Sequence, residues 1–366
     1  MNQDQNFSGS GQVSEAHQFN IQALESWLSR EVQGFTAPLR VEMFKGGQSN
    51  PTYKLSSPAK TYVMRAKPGP KDKLLPSAHA IEREFKVMKA LALTKVPVAK
   101  MIALCEDESV IGRAFYIMEF VEGRVFWQQD LPNMQPVERT AVYAAMNQVI
   151  ADLHSVSLSQ IDTIGLQDFG RPGNYFERQI GRWGKQYTAS VTVPIKEMDL
   201  LIEWLPNHLP VGPQMDLVSI VHGDYRLDNL MFDPHLPKIN AVLDWELSTL
   251  GHPLADFSYH CMAWHIKPGT FRGIAGLDLK ALGIPLEEEY IEQYCNKTGL
   301  TTPDALRRDW NFYLAYNMFR IAAILQGIAK RVDAGTASSA QAKSSAAGAR
   351  PMAELAWRYA NKHSNN

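Results

Sequence analysis

The chain has 366 residues, of which 45% are hydrophobic and 20% charged, a composition typical of globular domains rather than disordered chains. Lysine and arginine total 37 against 38 for aspartate and glutamate, and the net charge of −1 indicates no general attraction to nucleic acid or to an anionic membrane. The three cysteines lie too far apart for a disulfide framework or a CxxC metal pair, which favours a cytoplasmic protein in a reducing compartment.

Residues 1–19 predict a flexible leader, because they are polar and lack the apolar core of a secretory signal. Further along, no run of about 18 uninterrupted apolar residues occurs, so no membrane partner is expected. The most apolar stretch, 313–328, is interrupted by Asn317 and Arg320.

Residues 20–120 predict a small β-rich N-lobe. Apolar residues at helical spacing begin it at 21–28, and short alternating runs then predict strands at 39–43, 51–55, 61–66, 101–104 and 114–121. One amphipathic helix is predicted over 79–93, after the third strand. The interpretation is a five-stranded antiparallel sheet with one inserted helix.

Residues 121–333 predict a larger, mainly α-helical C-lobe. Apolar residues recur with helical period over 142–153, and later helices are predicted near 177–188, 195–205, 286–298 and 303–330. A β-type insertion at 220–244 separates them. Residues 334–366 predict an Ala/Ser-rich linker over 334–347 and a short C-terminal helix at 352–359, so the fold class is α+β.

Two segments carry the chemistry: 221–230, VHGDYRLDNL, and 242–246, VLDWE. Phosphoryl transfer to a hydroxyl needs a carboxylate to accept the proton and oxygen ligands to hold Mg²⁺ on the nucleotide phosphates. Asp224 suits the first task. Asn229 and Asp244 follow at a loop and at a strand end, and their oxygens are hard ligands for Mg²⁺. We therefore predict Asp224 as the catalytic base and Asn229 and Asp244 as metal ligands.

The pattern HGDxxxxN followed by LDWE resembles the aminoglycoside/choline kinase-like phosphotransferases, whose order of motifs the chain follows over about 35–330. The resemblance implies a protein-kinase-like bilobal fold, ATP or GTP as the nucleotide, and Mg²⁺. The glycine turn at Gly46–Pro51 and the segment AHAIEREFKVMKAL are similar to one subgroup. That subgroup is the phosphotransferase domain found alone in bacteria or fused to acyl-CoA dehydrogenases.

The same resemblance implies nucleotide contacts for seven residues, which in chain order are Gly47, Ser49, Asn50, Arg65, Glu84, Glu119 and Val121. The first three would form a phosphate-covering turn. Arg65, where the family usually has lysine, would grip the phosphates and pair with Glu84 from the helix. Glu119 and Val121 would bind the adenine edge through their backbone, in the hinge between the lobes.

Several alternatives stay open. Lys67 lies on the same side of an ideal strand as Arg65, and Glu82 is the rival of Glu84. Arg226, two residues after the base, is a candidate catalytic cation that would reach the γ-phosphate, but it could equally pair with Asp228.

Two further residues are expected to act structurally. His222 is expected to brace the catalytic loop by a hydrogen bond, and Asp256 resembles the aspartate that braces this loop in the family. The histidines His252, His260 and His265 do not have the spacing of common zinc sites, so core or surface roles are favoured.

The function indicated is a Mg²⁺-dependent kinase that phosphorylates a hydroxyl of a small molecule, with Asp224 as base. The subgroup resemblance points to a hydroxy acid or a hydroxyacyl-CoA as acceptor. A nucleotide-binding pseudokinase scaffold is one alternative. An aminoglycoside phosphotransferase is another, which the many basic residues around 252–272 disfavour. The oligomeric state is left open.

Overall fold

The computed structural model describes residues 9–45, 50–68, 80–269, 271–335 and 345–364. The chain divides into two compact units that are discontinuous in sequence. The first comprises residues up to 127 with 162–169 and 226–248, and the second comprises 128–161, 170–225 and 249 onward. These units are defined by proximity in space, and the lobe boundaries expected from chain order, 20–120 and 121–333, stay a prediction.

An antiparallel sheet dominates the first unit, with its six strands in the order β1-β2-β3-β4-β6-β5. In chain order the strands are β1 (Ser10–Gly11), β2 (Arg40–Phe44), β3 (Thr52–Ser56), β4 (Thr61–Ala66), β5 (Met101–Cys105) and β6 (Phe115–Glu119). The five predicted strands are present, but the count of five is wrong because β1 adds a sixth. This two-residue strand pairs with Met43 and Phe44 through its backbone, so no alternation of apolar residues marks it in the sequence.

The two faces of β4 have different environments because successive side chains on a strand point to opposite faces. Tyr62 and Met64 lie in a buried cluster with Leu24 and Trp27 of helix α1 (Ile21–Glu31). Arg65 follows Met64 on the strand, so its side chain points to the opposite face of the sheet. Its partner Glu84 belongs to α2 (Ile81–Leu91), the helix predicted after the third strand.

A short hairpin in the first unit carries the second half of the predicted motif. Its strands are β8 (Leu230–Phe232) and β9 (Ile239–Val242), with Leu230 opposite Val242. Just beyond this pair, the Leu243 N–H donates to the Asn229 carbonyl at 2.8 Å. The hairpin therefore holds Asn229 and Leu243 side by side at one end, with Asp244 next in the chain.

The remaining helices follow from residue 136 onward: α3 (Pro136–His154), α4 (Leu158–Thr163), α5 (Tyr175–Ser190), α6 (Lys196–Asn207), α7 (Pro253–Cys261), α8 (Leu279–Leu282), α9 (Glu287–Thr298), α10 (Pro303–Arg308), α11 (Trp310–Asp333) and α12 (Ala349–Ser364). The long helix α11 packs against α5, α7 and α12 in the second unit. The single helix predicted over 303–330 is two helices, because the chain breaks at Asp309, whose carboxylate accepts a hydrogen bond from the Gln214 side chain at 2.8 Å.

The C-terminal helix is longer than the predicted 352–359. Residues 336–344 of the predicted linker lie outside the described residues. Over the ranges described, no helix is long and apolar enough to cross a membrane.

A second hairpin, in the second unit, leads into the predicted catalytic loop, which begins at His222 and carries Asp224. It pairs β7 (Ser219–Val221) with β10 (Thr249–Gly251), with Val221 opposite Thr249. Gly251 is closely packed: a Cβ at this position would lie 2.7 Å from Cε2 of Tyr175 and 2.8 Å from Cγ2 of Val221. Only glycine therefore fits here without displacing a neighbour.

We predict that Gly251→Ala lowers the free energy of unfolding by about 1–3 kcal/mol, the usual range for overpacking a filled site. Urea denaturation of the full chain followed by circular dichroism measures it. Gly181→Ala is the matched control, because a Cβ at that position of α5 meets nothing within 4 Å. In a helix interior the control should stabilise by about 0.5–1 kcal/mol. Equal effects of the two substitutions would contradict the prediction.

Candidate active site

Arg65 is the centre of a charged cluster in the first unit. Its side chain is only 10% exposed, and its Nε lies 3.0 Å from Oε2 of Glu84. Its Nη2 lies 2.6 Å from Oδ1 of Asp244 and 3.7 Å from Oε2 of Glu246. The predicted pairing of Arg65 with Glu84 is therefore present, and the same guanidinium also contacts the predicted metal ligand Asp244.

The charges in this cluster stabilise one another. Glu84 is buried and also accepts hydrogen bonds from Nδ2 of Asn50 at 2.9 Å and from the Tyr116 hydroxyl at 3.2 Å. Burial raises the pKa of Glu84, against the lowering effect of Arg65. Burial also works to lower the pKa of Arg65, but Glu84 and Asp244 raise it above its ordinary value. The guanidinium thus stays charged despite its burial.

The rival residues Lys67 and Glu82 form an ion pair with each other. Their side chains are 32% and 30% exposed, so this pair lies nearer the solvent than the Arg65 cluster. The structure therefore brings Arg65, and not Lys67, to Asp244 and Glu84. Which of the two cations grips the phosphates of a nucleotide stays a prediction.

The predicted metal ligands lie at the end of the β8–β9 hairpin. Asp244 adopts a left-handed backbone conformation, φ 62° and ψ 61°, which is uncommon for a residue other than glycine and costs of the order of 1–3 kcal/mol. Asn229 is buried. Within the described ranges no cluster of three His, Cys, Asp or Glu side chains could hold a metal ion. An amide and a carboxylate oxygen nevertheless suit Mg²⁺, which keeps waters and takes substrate phosphates as its other ligands.

Arg226 has a carboxylate partner within its own unit. Its Nε lies 3.4 Å from Oδ1 of Asp228, whose side chain is 2% exposed. This is one of the two alternatives for Arg226. The other, contact with a γ-phosphate, stays a prediction.

Three more of the predicted nucleotide contacts, Asn50, Glu119 and Val121, are also in the first unit. Glu119 ends β6, pairs with Tyr62 in the sheet, and donates its N–H to the Lys100 carbonyl at 3.0 Å. Val121 follows and is half-buried. Asn50 contacts Glu84, as described above. Gly47 and Ser49 lie outside the described residues.

In the second unit, Asp256 holds the backbone of the catalytic loop. Its carboxylate accepts hydrogen bonds from the N–H of His222 at 2.7 Å and of Gly223 at 2.9 Å. The ring of His222 in turn accepts the N–H of Asp224 at 3.1 Å through Nδ1. Gly223 has φ 80°, a conformation that favours glycine. The bracing expected of Asp256 and His222 is thus present immediately before Asp224.

A buried histidine keeps Asp256 ionised. Burial works to raise the pKa of Asp256, but hydrogen bonding and charge from His154, together with His222, lower it below its ordinary value. His154 lies 3.3 Å from Oδ2 of Asp256 through Nε2 and 2.8 Å from the Tyr294 hydroxyl through Nδ1. Sequence reasoning missed His154, because the apolar stripe that predicts this helix ends one residue before it.

Two further missed residues contact the catalytic loop. The hydroxyl of Tyr259 donates to Oδ1 of Asp224, and the guanidinium of Arg320 donates to the carbonyl of Gly223. Tyr259 comes three residues after Asp256 on α7, a spacing that puts both on one helix face, and this signal was available. For Arg320 the only signal is that it interrupts an apolar stretch.

The histidines considered for zinc have other partners. His252 Nε2 lies 2.7 Å from the carbonyl of Gln214, and His260 Nε2 lies 2.8 Å from the Tyr290 hydroxyl. Burial lowers the pKa of each to about 4, so both rings are neutral at neutral pH. His265 lies 2.6 Å from Glu287. These contacts agree with core roles.

Residues 40–307 match the model of the phosphotransferase enzyme family, APH, and the chain belongs to that family. A mouse protein named acyl-CoA dehydrogenase family member 10 is 48% identical over 330 residues, covering 89% of this chain. The match spans only 30% of the mouse protein's length. The resemblance to phosphotransferase domains of acyl-CoA dehydrogenases is thereby confirmed.

Solved structures confirm the protein-kinase-like fold. A Ralstonia eutropha JMP134 protein provisionally assigned as an aminoglycoside phosphotransferase is 62% identical, with a TM-score of 0.84 over 94% of this chain and 99% of that chain. A thermostable mutant of the aminoglycoside phosphotransferase APH(4)-Ia, solved with ADP and hygromycin B, is 15% identical. Its TM-score is 0.59 over 92% of this chain and 98% of that one, a likeness of fold alone.

We predict that Arg65→Met lowers the free energy of unfolding by about 3–5 kcal/mol, because it leaves the buried Glu84 carboxylate without its cation. Lys67→Met removes a half-exposed ion pair and should cost no more than about 1 kcal/mol. Guanidinium denaturation of both variants, without nucleotide, measures the difference. Similar losses in the two variants would contradict the central place of Arg65.

Proposed function

We propose that the chain is a Mg²⁺-dependent small-molecule kinase that transfers the γ-phosphate of ATP to a hydroxyl of a metabolite. The observation that carries the proposal is the set of hydrogen bonds that hold Asp224 in place. Its backbone is fixed by Asp256 and His222, its carboxylate accepts a hydrogen bond from the Tyr259 hydroxyl at Oδ1, and the residue is half-buried rather than enclosed. A general base needs this combination of fixed position and access to the substrate.

In the proposed reaction, Asp224 orients the acceptor hydroxyl and takes its proton. The hydroxyl oxygen forms a bond to the γ-phosphorus, the bond between that phosphorus and the β–γ bridging oxygen breaks, and ADP leaves. Asn229 and Asp244 would hold Mg²⁺, which when bound neutralises charge on the phosphates. Arg65 would grip the phosphates, and Arg226 would approach the γ-phosphate.

ATP is the proposed nucleotide, with GTP as the alternative. Support comes from the ADP bound to the relative of the same fold described above. The Glu119 carbonyl and the Val121 amide would bind the adenine edge. Because these are backbone groups, substitution of either side chain tests them poorly.

The proposed acceptor is a hydroxy acid or a hydroxyacyl-CoA. One support is the name of the mouse relative, whose longer chain is an acyl-CoA dehydrogenase family member. Another is electrostatic: the buried cation Arg320 contacts the loop that carries Asp224, which is unfavourable for a polycationic aminoglycoside.

The competing function is a nucleotide-binding pseudokinase that acts as a scaffold. It would explain the arginine at position 65 and the short glycine turn. It would not need Asp256 and His222 to hold the backbone at Asp224 and Tyr259 to hold its carboxylate, and the catalytic interpretation is therefore favoured.

We predict that Asp224→Ala lowers kcat for phosphate transfer by about 10²- to 10⁴-fold through loss of the base. Transfer from γ-labelled ATP with Mg²⁺ is measured against hydroxybutyrates and their CoA thioesters, with kanamycin and choline as other acceptor classes. Transfer to one class that is lost in the variant supports the proposal and names the acceptor. Unchanged turnover in Asp224→Ala would rule Asp224 out as the base.

We further predict that Asp244→Ala abolishes the Mg²⁺-dependent part of ATP binding, because it removes the carboxylate ligand. Calorimetric titration with ATP, with and without Mg²⁺, measures it. Asp233→Ala is the matched control, since Asp233 lies in the same hairpin and its carboxylate accepts the N–H of His235 at 2.9 Å. Mg²⁺-dependent binding that survives in Asp244→Ala would contradict the assignment.

A further inference from the structure

We propose that Tyr259 and Arg320 are positioning residues for the base Asp224, a pair that sets the orientation of its carboxylate. The inference rests on the proposed kinase function. Tyr259 acts by holding one carboxylate oxygen, and Arg320 acts by holding both the Tyr259 ring and the loop carbonyl next to the base. Both residues lie outside the motif HGDxxxxN at 222–229.

Tyr259 controls the direction of the carboxylate. Its side chain is almost fully buried, and its hydroxyl donates to Oδ1 of Asp224. A hydrogen bond from a hydroxyl to a carboxylate is charge-assisted and about twice as strong as a neutral one. The Tyr259 hydroxyl therefore restrains the orientation of the Asp224 carboxylate.

One helix therefore acts on the base twice. Asp256, in the first turn of α7, binds the two backbone N–H groups before Asp224. Tyr259, one turn later, binds the Asp224 side chain itself. The backbone before Asp224 and the Asp224 carboxylate are thus both held by α7. Attachment to one rigid helix is a way to hold a catalytic group within a fraction of an ångström.

Arg320 supports this arrangement from α11. It is 6% exposed, and its guanidinium donates to the carbonyl of Gly223. Its central carbon lies 5.1 Å from the ring centre of Tyr259 and 5.7 Å from that of Trp183. These distances are those of cation–π contacts, which strengthen when the cation is desolvated.

The guanidinium of Arg320 is buried beside tyrosine rings and the loop that carries Asp224. Burial works to lower its pKa, but the surrounding tyrosines and Asp224 raise it above the ordinary value. A buried charge needs such compensating contacts, and those of Arg320 are to the Gly223 carbonyl and the Tyr259 ring.

The first test compares Tyr259→Phe with Tyr143→Phe. Both remove one buried hydroxyl from the second unit, and the Tyr143 hydroxyl donates to the Gln129 carbonyl at 2.8 Å, outside the loop. The probe is the acceptor of the panel above that wild type phosphorylates fastest. Tyr259→Phe should lower kcat by about 10- to 100-fold, as expected for a misplaced catalytic group, with KM for ATP within about twofold of wild type. Tyr143→Phe should keep kcat while losing similar thermal stability.

The second test is a double-mutant cycle with Asp224→Asn. If Tyr259 acts through the base, adding Tyr259→Phe to Asp224→Asn should lower kcat no further, because residues that act as a unit are not additive. Arg320→Lys, which keeps the charge but loses the planar fork, should give an intermediate kcat. Because Arg320→Lys keeps a cation in the buried site, it is less prone to misfold than a variant that removes the charge.

The outcomes distinguish failure of the proposed kinase function from failure of the positioning role alone. If wild type transfers phosphate to no acceptor, the proposed function fails and the positioning role falls with it. Suppose instead that wild type is active and Asp224→Ala is not. The positioning role alone is then overturned if the kcat of Tyr259→Phe equals that of Tyr143→Phe. It is also overturned if the loss of kcat in Tyr259→Phe adds fully to the loss in Asp224→Asn.

Discussion

The buried carboxylate of Asp256 is the constraint on which the second unit's site depends. It accepts two consecutive backbone N–H groups, and it thereby sets the path of the chain immediately before Asp224. An isolated buried carboxylate would be expensive and would tend to be protonated, which would remove an acceptor. His154 prevents this, since its contact lowers the pKa of Asp256. The loop geometry therefore depends on a histidine some seventy positions away from it in sequence, on α3.

In the first unit, the predicted metal ligand Asp244 is also held in place by its neighbours, but through other contacts. Asp244 is held in a left-handed conformation that would be unfavourable in an unconstrained chain. Two contacts compensate: the backbone bond of the preceding Leu243 to Asn229, and the ion pair of Asp244 with Arg65. Arg65 is itself anchored by Glu84. In each unit, then, a half-buried aspartate of the predicted site is oriented by a charged group that is itself buried and paired.

How far the sequence predicts these arrangements depends on how local the pattern is. The motif around Asp224 and the strands before it are readable because the polar residues are close together and flanked by apolar runs. The Arg65–Glu84 pair was predictable from the resemblance to the phosphotransferase family, which the residues alone left open against Lys67 and Glu82. Tyr259 and Arg320 were missed because their partners, Asp224 and Gly223, are reached only through tertiary packing of α7 and α11. The sixth strand was missed because it is only two residues long and carries no alternation of apolar residues.

The arginine at position 65 has a physical reason within this cluster. A lysine offers one nitrogen, and burial lowers the pKa of an ammonium group readily. Arginine presents separate N–H groups on a rigid plane, so its Nε contacts Glu84 while its Nη2 contacts Asp244. One buried side chain can thus bridge the helix carboxylate and the predicted metal ligand without losing its charge. The departure from the family's usual lysine is therefore compatible with a working phosphate-binding cation, and on this ground it does not favour a pseudokinase.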